Sequence, residues 1–275
     1  MIRRPSRPAR VGVAALAAGV LLATGACSDD GGEETTAGQS TGSPTATPSG
    51  ATARATPSGA LTEAQAKTAL ITEADIEDDW TQVDDAEKWR DTLLAGTVDV
   101  DDFLTGKADA ADCQRLLDGL YSEDLLGKPS GASALTGFEQ DDSRLLYQVA
   151  AYTGSSLDDS MDWLKSLPQK CDEFTATGSG DSNSTVQVIG ASLPDQGDAR
   201  QGLEVTVQGT ADGAPTTLTL NVGVVRVGDD AITVTAGGPD GGQPDSVDAA
   251  VEQGTGRLET VLKGGTPAPS PTQGY

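Results

Sequence analysis

The sequence predicts an α+β domain in which a twisted antiparallel sheet carries helices packed on one face. Segments of alternating apolar and polar residues, separated by turns rich in glycine and aspartate, fill the stretch from 133 to 235. Such alternation is typical of antiparallel strands. Helical patterns precede, interrupt and follow these segments, so we expect the helices to bury their apolar stripes against the sheet in a single domain.

Three helical patterns come before the last group of strands. Thr62 and Gln65 belong to a capping-box pattern that opens a short helix ending near Ile71. The second helix, 109–122, and the third, which begins near Ser156, place apolar residues three and four positions apart, so each has one buried stripe. The two stripes are Cys113, Leu116, Leu117 and Leu120, and then Leu157, Met161, Leu164 and Leu167.

The ends of the third and fourth helices are marked by residues that interrupt helical hydrogen bonding. Pro168 should stop or kink the third helix, because proline has no amide hydrogen to donate. A fourth helix is expected over about 245–263, where Gly254 and Gly256 should weaken it and the glycines after Lys263 should end it. Its inner stripe is Val247, Val251, Leu258 and Leu262.

The strand patterns predict a hairpin followed by four more strands. The segments 133–140 and 144–152 flank a turn at 141–143. In the longest later segment, 216–227, apolar side chains alternate with polar ones, which predicts a sheet that is covered on one side only. The apolar set is Leu218, Leu220, Val222 and Val224, and the polar set is Thr217, Thr219 and Asn221.

The composition excludes several classes of function. The chain has 275 residues with 18 Lys and Arg, 42 Asp and Glu, and no histidine. Without histidine, no Ser-His-Asp triad, Cys-His pair or imidazole metal site can form. Residues 1–26 hold four arginines and no acid, so the rest of the chain carries 14 basic and 42 acidic side chains, a formal net charge of −28. Such a surface repels nucleic acid.

The N-terminal segment has the layout of a secretory signal peptide. Residues 1–10 carry only positive charge, and the sixteen residues 11–26 are apolar and end in small side chains. The run 23–27, Ala-Thr-Gly-Ala-Cys, resembles the lipobox of bacterial lipoproteins, with Thr24 where leucine is commonest. The resemblance implies cleavage before Cys27 and acylation of its sulfur, which would hold the protein at the outer face of the cytoplasmic membrane. The alternative is ordinary secretory cleavage.

The remaining segments give the domain boundaries. Residues 27–60 contain the cysteine and a linker of Gly, Ser, Thr, Pro and Ala, a composition that cannot bury a core. A flexible chain of that length spans on the order of 30 Å. The folded domain is expected over 61–263, and a disordered tail over 264–275.

Cys113 and Cys171 are the only cysteines besides Cys27, and each lies beside a buried helical stripe. In an exported protein, a disulfide is the expected state of such a pair. Two cysteines without histidine cannot complete a zinc site. We therefore predict a Cys113–Cys171 disulfide and no metal site or cofactor.

No catalytic motif is complete. The segments beginning at Gly131 and Gly190 resemble a nucleophile elbow but lack its closing glycine. The acidic runs 75–79 and 97–102 lack the glycine of a calcium-binding loop, so we interpret them as solvated loops. Two carboxylates for glycoside hydrolysis need no fixed sequence spacing, so that alternative stays open.

The three tryptophans are Trp80, Trp89 and Trp163. Trp163 follows the buried stripe of the third helix by one position and is expected to border the core. Trp80 and Trp89 lie in a polar stretch without a clear period, where they could line a groove or pack under a loop. Packing is the preferred interpretation.

The order of motifs resembles the PknH-like extracellular sensor domain, which occurs on mycobacterial receptor kinases and in lipoproteins. The resemblance rests on the segment ALITEADIEDDW at 69–80, a first cysteine helix around Cys113, a strand from Tyr147 to Tyr152, and a tryptophan helix from Trp163 to Cys171. It spans about 61–263. It implies an antiparallel sheet with a groove for an extracellular ligand and no catalytic residues. Domains of that family often carry two disulfides, whereas this chain can form one.

The sequence therefore predicts a lipid-anchored, extracytoplasmic, non-catalytic module that binds a small molecule, glycan, lipid or protein, with binding residues that the sequence does not identify. Two alternatives remain: a carboxylate-dependent hydrolase of cell-wall glycans, and a purely structural envelope lipoprotein. A buried pair of acids with raised pKa would favour the hydrolase. The absence of any apolar pocket would favour the structural protein.

Overall fold

The computed structural model describes a domain that begins at Ala60. The described ranges are 60–76, 79–84, 86–90, 107–108, 111–177, 183–211, 213–239 and 241–269. The predicted signal peptide, Cys27, the linker up to 59 and the acidic run 97–102 lie outside these ranges. Within them, no helix is both long and apolar enough to cross a bilayer.

The described residues contain four α-helices and two short 3₁₀ turns. The helices are α1 (Glu63–Thr68), α2 (Ala111–Gly119), α3 (Gly154–Lys170) and α4 (Pro244–Leu262). The 3₁₀ turns are Glu73–Asp75 and Ala86–Arg90. The predicted capping box is present, because the Gln65 amide donates to the Thr62 hydroxyl and the Thr62 amide donates to the Gln65 side chain. The α3 helix does not stop at Pro168 but continues to Lys170, so that part of the prediction is wrong.

Within the described ranges, ten strands form one antiparallel sheet, which confirms the predicted α+β class. The strands are β1 (Thr81–Val83), β2 (Lys107–Ala108), β3 (Ser133–Gln140), β4 (Ser143–Ala151), β5 (Glu173–Thr177), β6 (Asn183–Ala191), β7 (Ala199–Ala211), β8 (Ala214–Val227), β9 (Asp230–Gly238) and β10 (Gly241–Gly242). Their order is β1-β3-β4-β9-β8-β7-β6-β5-β2, with β10 paired to β9. The predicted hairpin is β3–β4, and the four predicted later strands are β6 to β9.

The helices lie on both faces of the sheet, which corrects the prediction that they occupy one face. On one face, α2 and α3 cover the apolar side of β8 that contains Val222 and Val224. On the other, α4 packs against the same strand at Gly223, where an added Cβ would lie 2.8 Å from a methyl carbon of Val247. The predicted polar face of β8 therefore becomes small and apolar after Asn221, through Gly223 and Val225, and this is where α4 is accommodated.

Each face has its own cluster of buried side chains. The α2–α3 face packs Leu116, Leu157 and Leu164 against Leu146, Val205, Val207 and Leu220. The α4 face packs Val247, Val251 and Leu258 against Leu145, Tyr147, Val149, Ile232 and Val234. Strands β4 and β9 are buried along nearly their whole length, because they are covered on both sides. These two clusters hold the central strands in place.

Gly254 has a packing role that its helical position does not suggest. The ring of Tyr147 lies directly beneath it, and a Cβ at this position would overlap the Tyr147 hydroxyl and come within 2.8 Å of its ring carbon Cε2. Gly256 is exposed and has no atom within 4 Å of a built Cβ. The first glycine thus allows α4 to lie close to the sheet, while the second has no such contact.

The disulfide predicted from sequence is present. Cys113 of α2 and Cys171, the C-cap of α3, are bonded, with their Cα atoms 5.7 Å apart and 58 positions apart in the sequence. Both are buried, and the exposed ion pair of Lys170 with Asp112 lies beside them at 2.7 Å. The bond fastens α2 to the end of α3 on the same face of the sheet.

We expect the double variant Cys113→Ala/Cys171→Ala to lose about 4 kcal/mol of unfolding free energy, the chain-entropy value for a loop of this length. Urea denaturation monitored by circular dichroism measures the loss. Reduced wild-type protein should show the same loss. A reduced midpoint equal to the oxidised one would contradict the stabilising role.

The two glycines of α4 provide a matched pair. Gly254→Ala should destabilise the domain by about 1 to 3 kcal/mol through overpacking against Tyr147. Gly256→Ala should stabilise it by about 0.5 to 1 kcal/mol, because alanine favours the helix and meets no neighbour. Thermal unfolding of both variants checks this, and Tyr147→Phe should recover part of the loss in Gly254→Ala. Equal effects at the two positions would contradict the packing role.

Candidate functional site

A cleft opens at the end of the sheet, between the last turn of α4 and the turn that joins β8 to β9. Its volume is about 700 Å³. We call it the Asp230 cleft, and its lining residues are Ala60, Ala151, Tyr152, Val227, Gly228, Asp229, Asp230, Glu259, Leu262 and Lys263. Ala60 is also the first described residue of the domain.

The sheet register places Asp230 on the α4 side of this cleft. Asp230 pairs with Ala151 of β4 on one side and with Val227 of β8 on the other. Side chains alternate along a strand, so Asp230 points to the same face as Ile232, which belongs to the α4 cluster. The residue is 8% exposed, yet it lines the cleft. An acidic side chain therefore occupies the last position of an otherwise apolar buried face.

The Asp230 carboxyl has neither a hydrogen bond nor an ion pair within the described part of the chain. The pKa of Asp230 is raised to about 6, chiefly by burial and secondly by the neighbouring charge of Asp229. A carboxyl group with a pKa of about 6 is mainly ionised at pH 7 and becomes mainly protonated when the pH falls to about 5. Its charge is thus present near neutrality but has no partner among the described residues.

The turn beside Asp230 is held by several hydrogen bonds. The Gly228 amide donates to a carboxylate oxygen of Asp198 at 2.7 Å, and the Gly228 carbonyl accepts from Nε of Arg226 at 2.7 Å. The Tyr152 amide donates to the Asp229 carbonyl at 2.9 Å. Gly228 has a φ of 65°, a left-handed conformation that glycine adopts without strain. The wall formed by this turn is therefore pre-organised.

The rest of the cleft combines apolar walls with one paired charge at its mouth. Ala151, Val227 and Leu262 contribute the apolar surface. Glu259 and Lys263 form an ion pair at 2.9 Å, one turn apart on α4, and both side chains are well exposed. Among the described residues, the charge of Glu259 is therefore balanced by Lys263, whereas the charge of Asp230 has no counterpart.

Two other concave regions are built from groups that contact one another. A groove of about 520 Å³ on α2 includes Arg115, whose guanidinium lies 3.8 Å above the Trp163 ring and donates to Ser160. A groove of about 410 Å³ beside α4 includes Arg257, which pairs with the buried Asp75 at 3.4 Å. The other acids that line the two grooves, Asp118, Asp124 and Glu252, are exposed, so neither groove has a buried, unpaired carboxylate like that of Asp230 among the described residues.

The tryptophans pack in the core, as the sequence analysis preferred. Trp80, Trp89 and Trp163 are all buried, and the Trp80 indole donates to the Ser246 hydroxyl at 3.1 Å. None of them lines the Asp230 cleft.

The acidic run at 75–79 has a structural role at its first residue. Asp75 accepts from the amide and hydroxyl of Thr72 and pairs with Arg257. Within the described residues, no group of three or more acidic or cysteine side chains is arranged to hold a metal ion.

Sequence reasoning did not single out Asp230. Asp230 directly follows Gly228 and Asp229, and glycine and aspartate are common in turns. The available signal was an acidic residue directly before the apolar strand segment Ala231–Ile232, but only the register of β4, β9 and β8 reveals that this residue lies on a buried face.

No family model and no curated protein matches this chain. Among solved structures, the chain is similar to the crystal structure of the extracellular domain of PknH from Mycobacterium tuberculosis, with a TM-score of 0.44 and 11% sequence identity. The similarity covers 73% of this chain and 98% of that chain. This is the type of domain that the sequence resembles. A likeness at this level transfers no residue or ligand, so the Asp230 cleft is interpreted from its own contacts.

Replacing Asp230 with asparagine should stabilise the free protein. The raised pKa means that the folded state holds the proton more tightly than the unfolded state, so Asp230 lowers stability as pH rises from about 4 to 6 and stays unfavourable above that range. We expect Asp230→Asn to be more stable than wild type by on the order of 1 kcal/mol at pH 7.5, after screening of the partly accessible charge. The difference should shrink below pH 4.

Denaturant titrations of both proteins between pH 3.5 and 8 measure this difference. Asp229→Asn is the matched control, because it removes the exposed acid of the same turn. A stability difference between Asp230→Asn and wild type that is constant over this range would contradict the unpaired state of Asp230.

Proposed function

We propose that this chain is an exported, lipid-anchored, non-catalytic module that binds a ligand in the Asp230 cleft. The observation that carries the proposal is the Asp230 carboxyl, which is buried, unpaired within the described residues and open to a cleft of about 700 Å³. Leaving a buried charge unpaired lowers stability. A ligand that pairs with it would recover this loss, which is typical of binding sites.

The cellular location rests on the N-terminal sequence. The basic segment, the apolar run and the lipobox-like residues 23–27 support export, cleavage before Cys27 and acylation of its thiol. Two or more acyl chains would hold the protein stably at the outer face of the cytoplasmic membrane. The polar residues after Cys27 would then tether the domain to the membrane.

Binding is favoured over catalysis because the cleft offers one activated acid and not two. A glycoside hydrolase needs an acid and a second free carboxylate at a defined separation. Of the other acids in the cleft, Glu259 is paired with Lys263, and Asp229 is an exposed residue of the turn.

A carboxylate-dependent hydrolase remains the second candidate, because a pKa of about 6 suits Asp230 to act as a general acid. Release of reducing ends from purified cell-wall glycan, abolished in both Asp230→Asn and Glu259→Gln, would favour the hydrolase. Glycan hydrolysis that persists in both variants would come from a site other than the Asp230 cleft.

We expect a ligand in the cleft to be excluded by a bulky side chain on its wall. In Val227→Trp, an indole replaces a partly exposed valine that lines the cleft. Fragments containing amines, acids and neutral groups should shift the amide signals of Ala151 and Leu262 in wild-type NMR spectra, and Val227→Trp should remove these shifts.

Ile189→Trp is the matched control, because Ile189 is the exposed large apolar residue of β6 and does not line the cleft. This variant should behave like wild type. Absence of cleft shifts with every fragment in wild-type protein would overturn the proposal.

The anchor is tested separately. The protein from native membranes should begin at Cys27, carry the added mass of acyl chains and partition into detergent, because the acyl chains bury hydrocarbon. Cys27→Ala should lack the added acyl mass. Acyl mass that persists in Cys27→Ala would contradict this anchor.

A further inference from the structure

We propose that the ligand of the Asp230 cleft is an organic cation, a protonated amine or guanidine on a slender aliphatic stem, whose charged group pairs with the Asp230 carboxylate. This inference rests on the proposed function and specifies its ligand class. It follows from the burial of the Asp230 carboxylate, from the apolar side chains that line the cleft beside it, and from the charged residues around the cleft.

The depth of Asp230 determines which end of a ligand it can meet. Asp230 lies in a row across three strands, between Ala151 and Val227, at 8% exposure. A carboxylate in such surroundings gains most from a charged donor, since charge-assisted hydrogen bonds are roughly twice as strong as neutral ones. A hydroxyl would satisfy one oxygen but would leave the charge uncompensated.

The walls determine the shape of the rest of the ligand. The surfaces beside Asp230 come from Ala151, Val227 and Leu262. An aliphatic stem can bury against these side chains, whereas a sugar ring would leave its hydroxyl groups facing apolar carbon. A cationic head on a short alkyl chain therefore complements both the floor and the walls.

The charges around the cleft also favour a cation. Glu259 is paired with Lys263, and the exposed Asp229 lies 3.9 Å from a guanidinium nitrogen of Arg226, so Asp230 is the acid of the lining that has no such partner among the described residues. The chain as a whole has a formal net charge of −24. Such a surface attracts cations and repels carboxylates and phosphates over distances of about 10 Å at moderate salt.

An inorganic cation fits the cleft less well. Calcium takes six to eight oxygen ligands, and magnesium takes six. The described residues contain no group of three or more acidic side chains placed to hold a metal. One buried carboxylate matches the single charge of an ammonium or guanidinium group.

Protonation of Asp230 should control binding. Asp229, Glu259 and Lys263 are the charged groups that share the cleft with Asp230. The pKa of Asp230 is raised to about 6 by burial, with Asp229 as the second cause. The ionised fraction therefore falls about tenfold between pH 7 and pH 5, and affinity for a cation should fall with it.

The test uses the full chain carrying Cys27→Ala, and three probes of one length: n-pentylamine, n-pentanol and pentanoate. Binding is measured from the NMR shifts of the Ala151, Val227 and Leu262 amides. We expect pentylamine to bind at least tenfold more tightly than pentanol at pH 7, and pentanoate to bind most weakly. At pH 5 the affinity for pentylamine should fall about tenfold while that for pentanol stays unchanged.

Two variants of the turn separate the role of Asp230 from the general acidity of the surface. Asp230→Asn should abolish the preference for pentylamine over pentanol. Asp229→Asn should keep the preference and move the loss of binding to lower pH, because the neighbouring charge that raises the Asp230 pKa is gone. Loss of the preference in Asp229→Asn alone would overturn the assignment to Asp230.

The remaining outcomes distinguish a free amine from a lysine side chain. They also separate failure of the cation inference from failure of the proposed binding function. Equal binding of pentylamine and N-acetyl-lysine methylamide would indicate a lysine side chain of a peptide, whereas binding of pentylamine alone would indicate a free amine. Pentanol or pentanoate binding in the cleft as tightly as pentylamine would overturn the cation inference and leave the proposed binding function intact. Absence of all probes from the cleft would overturn both.

Discussion

The structure depends on the burial of β4, β9 and β8 from both sides. Antiparallel sheets commonly leave one face to solvent, and their strands then alternate between apolar and polar residues. Here α2 and α3 lie on one face and α4 lies on the other, so the side chains of the central strands are buried on both. Most of these side chains are apolar or small, and the buried Gln148 accepts a hydrogen bond from the Thr233 hydroxyl within the sheet. The outer strand β6 shows the contrasting pattern, in which buried valines alternate with exposed polar residues. Whether helices cover one face or both faces of a strand thus explains whether its residues alternate between apolar and polar.

Close approach of α4 to the sheet places strict demands on a few residues. The methyl groups of Val247 and Val251 pack directly against Gly223, and the Tyr147 ring packs directly against Gly254. Glycine is unfavourable in the interior of a strand, as at Gly223, and of a helix, as at Gly254, but at both positions it makes the close contact possible. The buried apolar area gained along the whole helix outweighs this local cost.

The Asp230 cleft is a consequence of where that packing ends. The α4 helix ends at Leu262, and the row Ala151–Asp230–Val227 lies beside its last turn. The Asp230 carboxylate is therefore poorly solvated, as a buried group is, but a ligand in the cleft can still reach it. A protein that needed only stability would favour an uncharged residue here, which is why the position is interpreted as functional.

The surrounding contacts make the cleft rigid on one side. The turn at Gly228 is fixed by Asp198 and Arg226, and the Tyr152 amide is fixed to Asp229. On the other side, Glu259 and Lys263 are exposed side chains of a helix end. A pre-organised wall reduces the ordering that a ligand must impose on binding.

The sequence by itself determined the class of fold, the helices, the main strands and the disulfide, because these follow from local periodicity, caps and a small number of cysteines. For Trp80 and Trp89 it favoured packing but left a groove open, because their stretch has no clear period. It also carries the whole case for export and for the anchor at Cys27. Only the tertiary structure decided that helices cover both faces, that Gly223 and Gly254 are contact points, and that Asp230 is buried without a partner in the part of the chain that the structure describes. Those facts depend on register and on the approach of distant segments. Alternation shows that a strand has two faces, but it does not show what will pack against each of them.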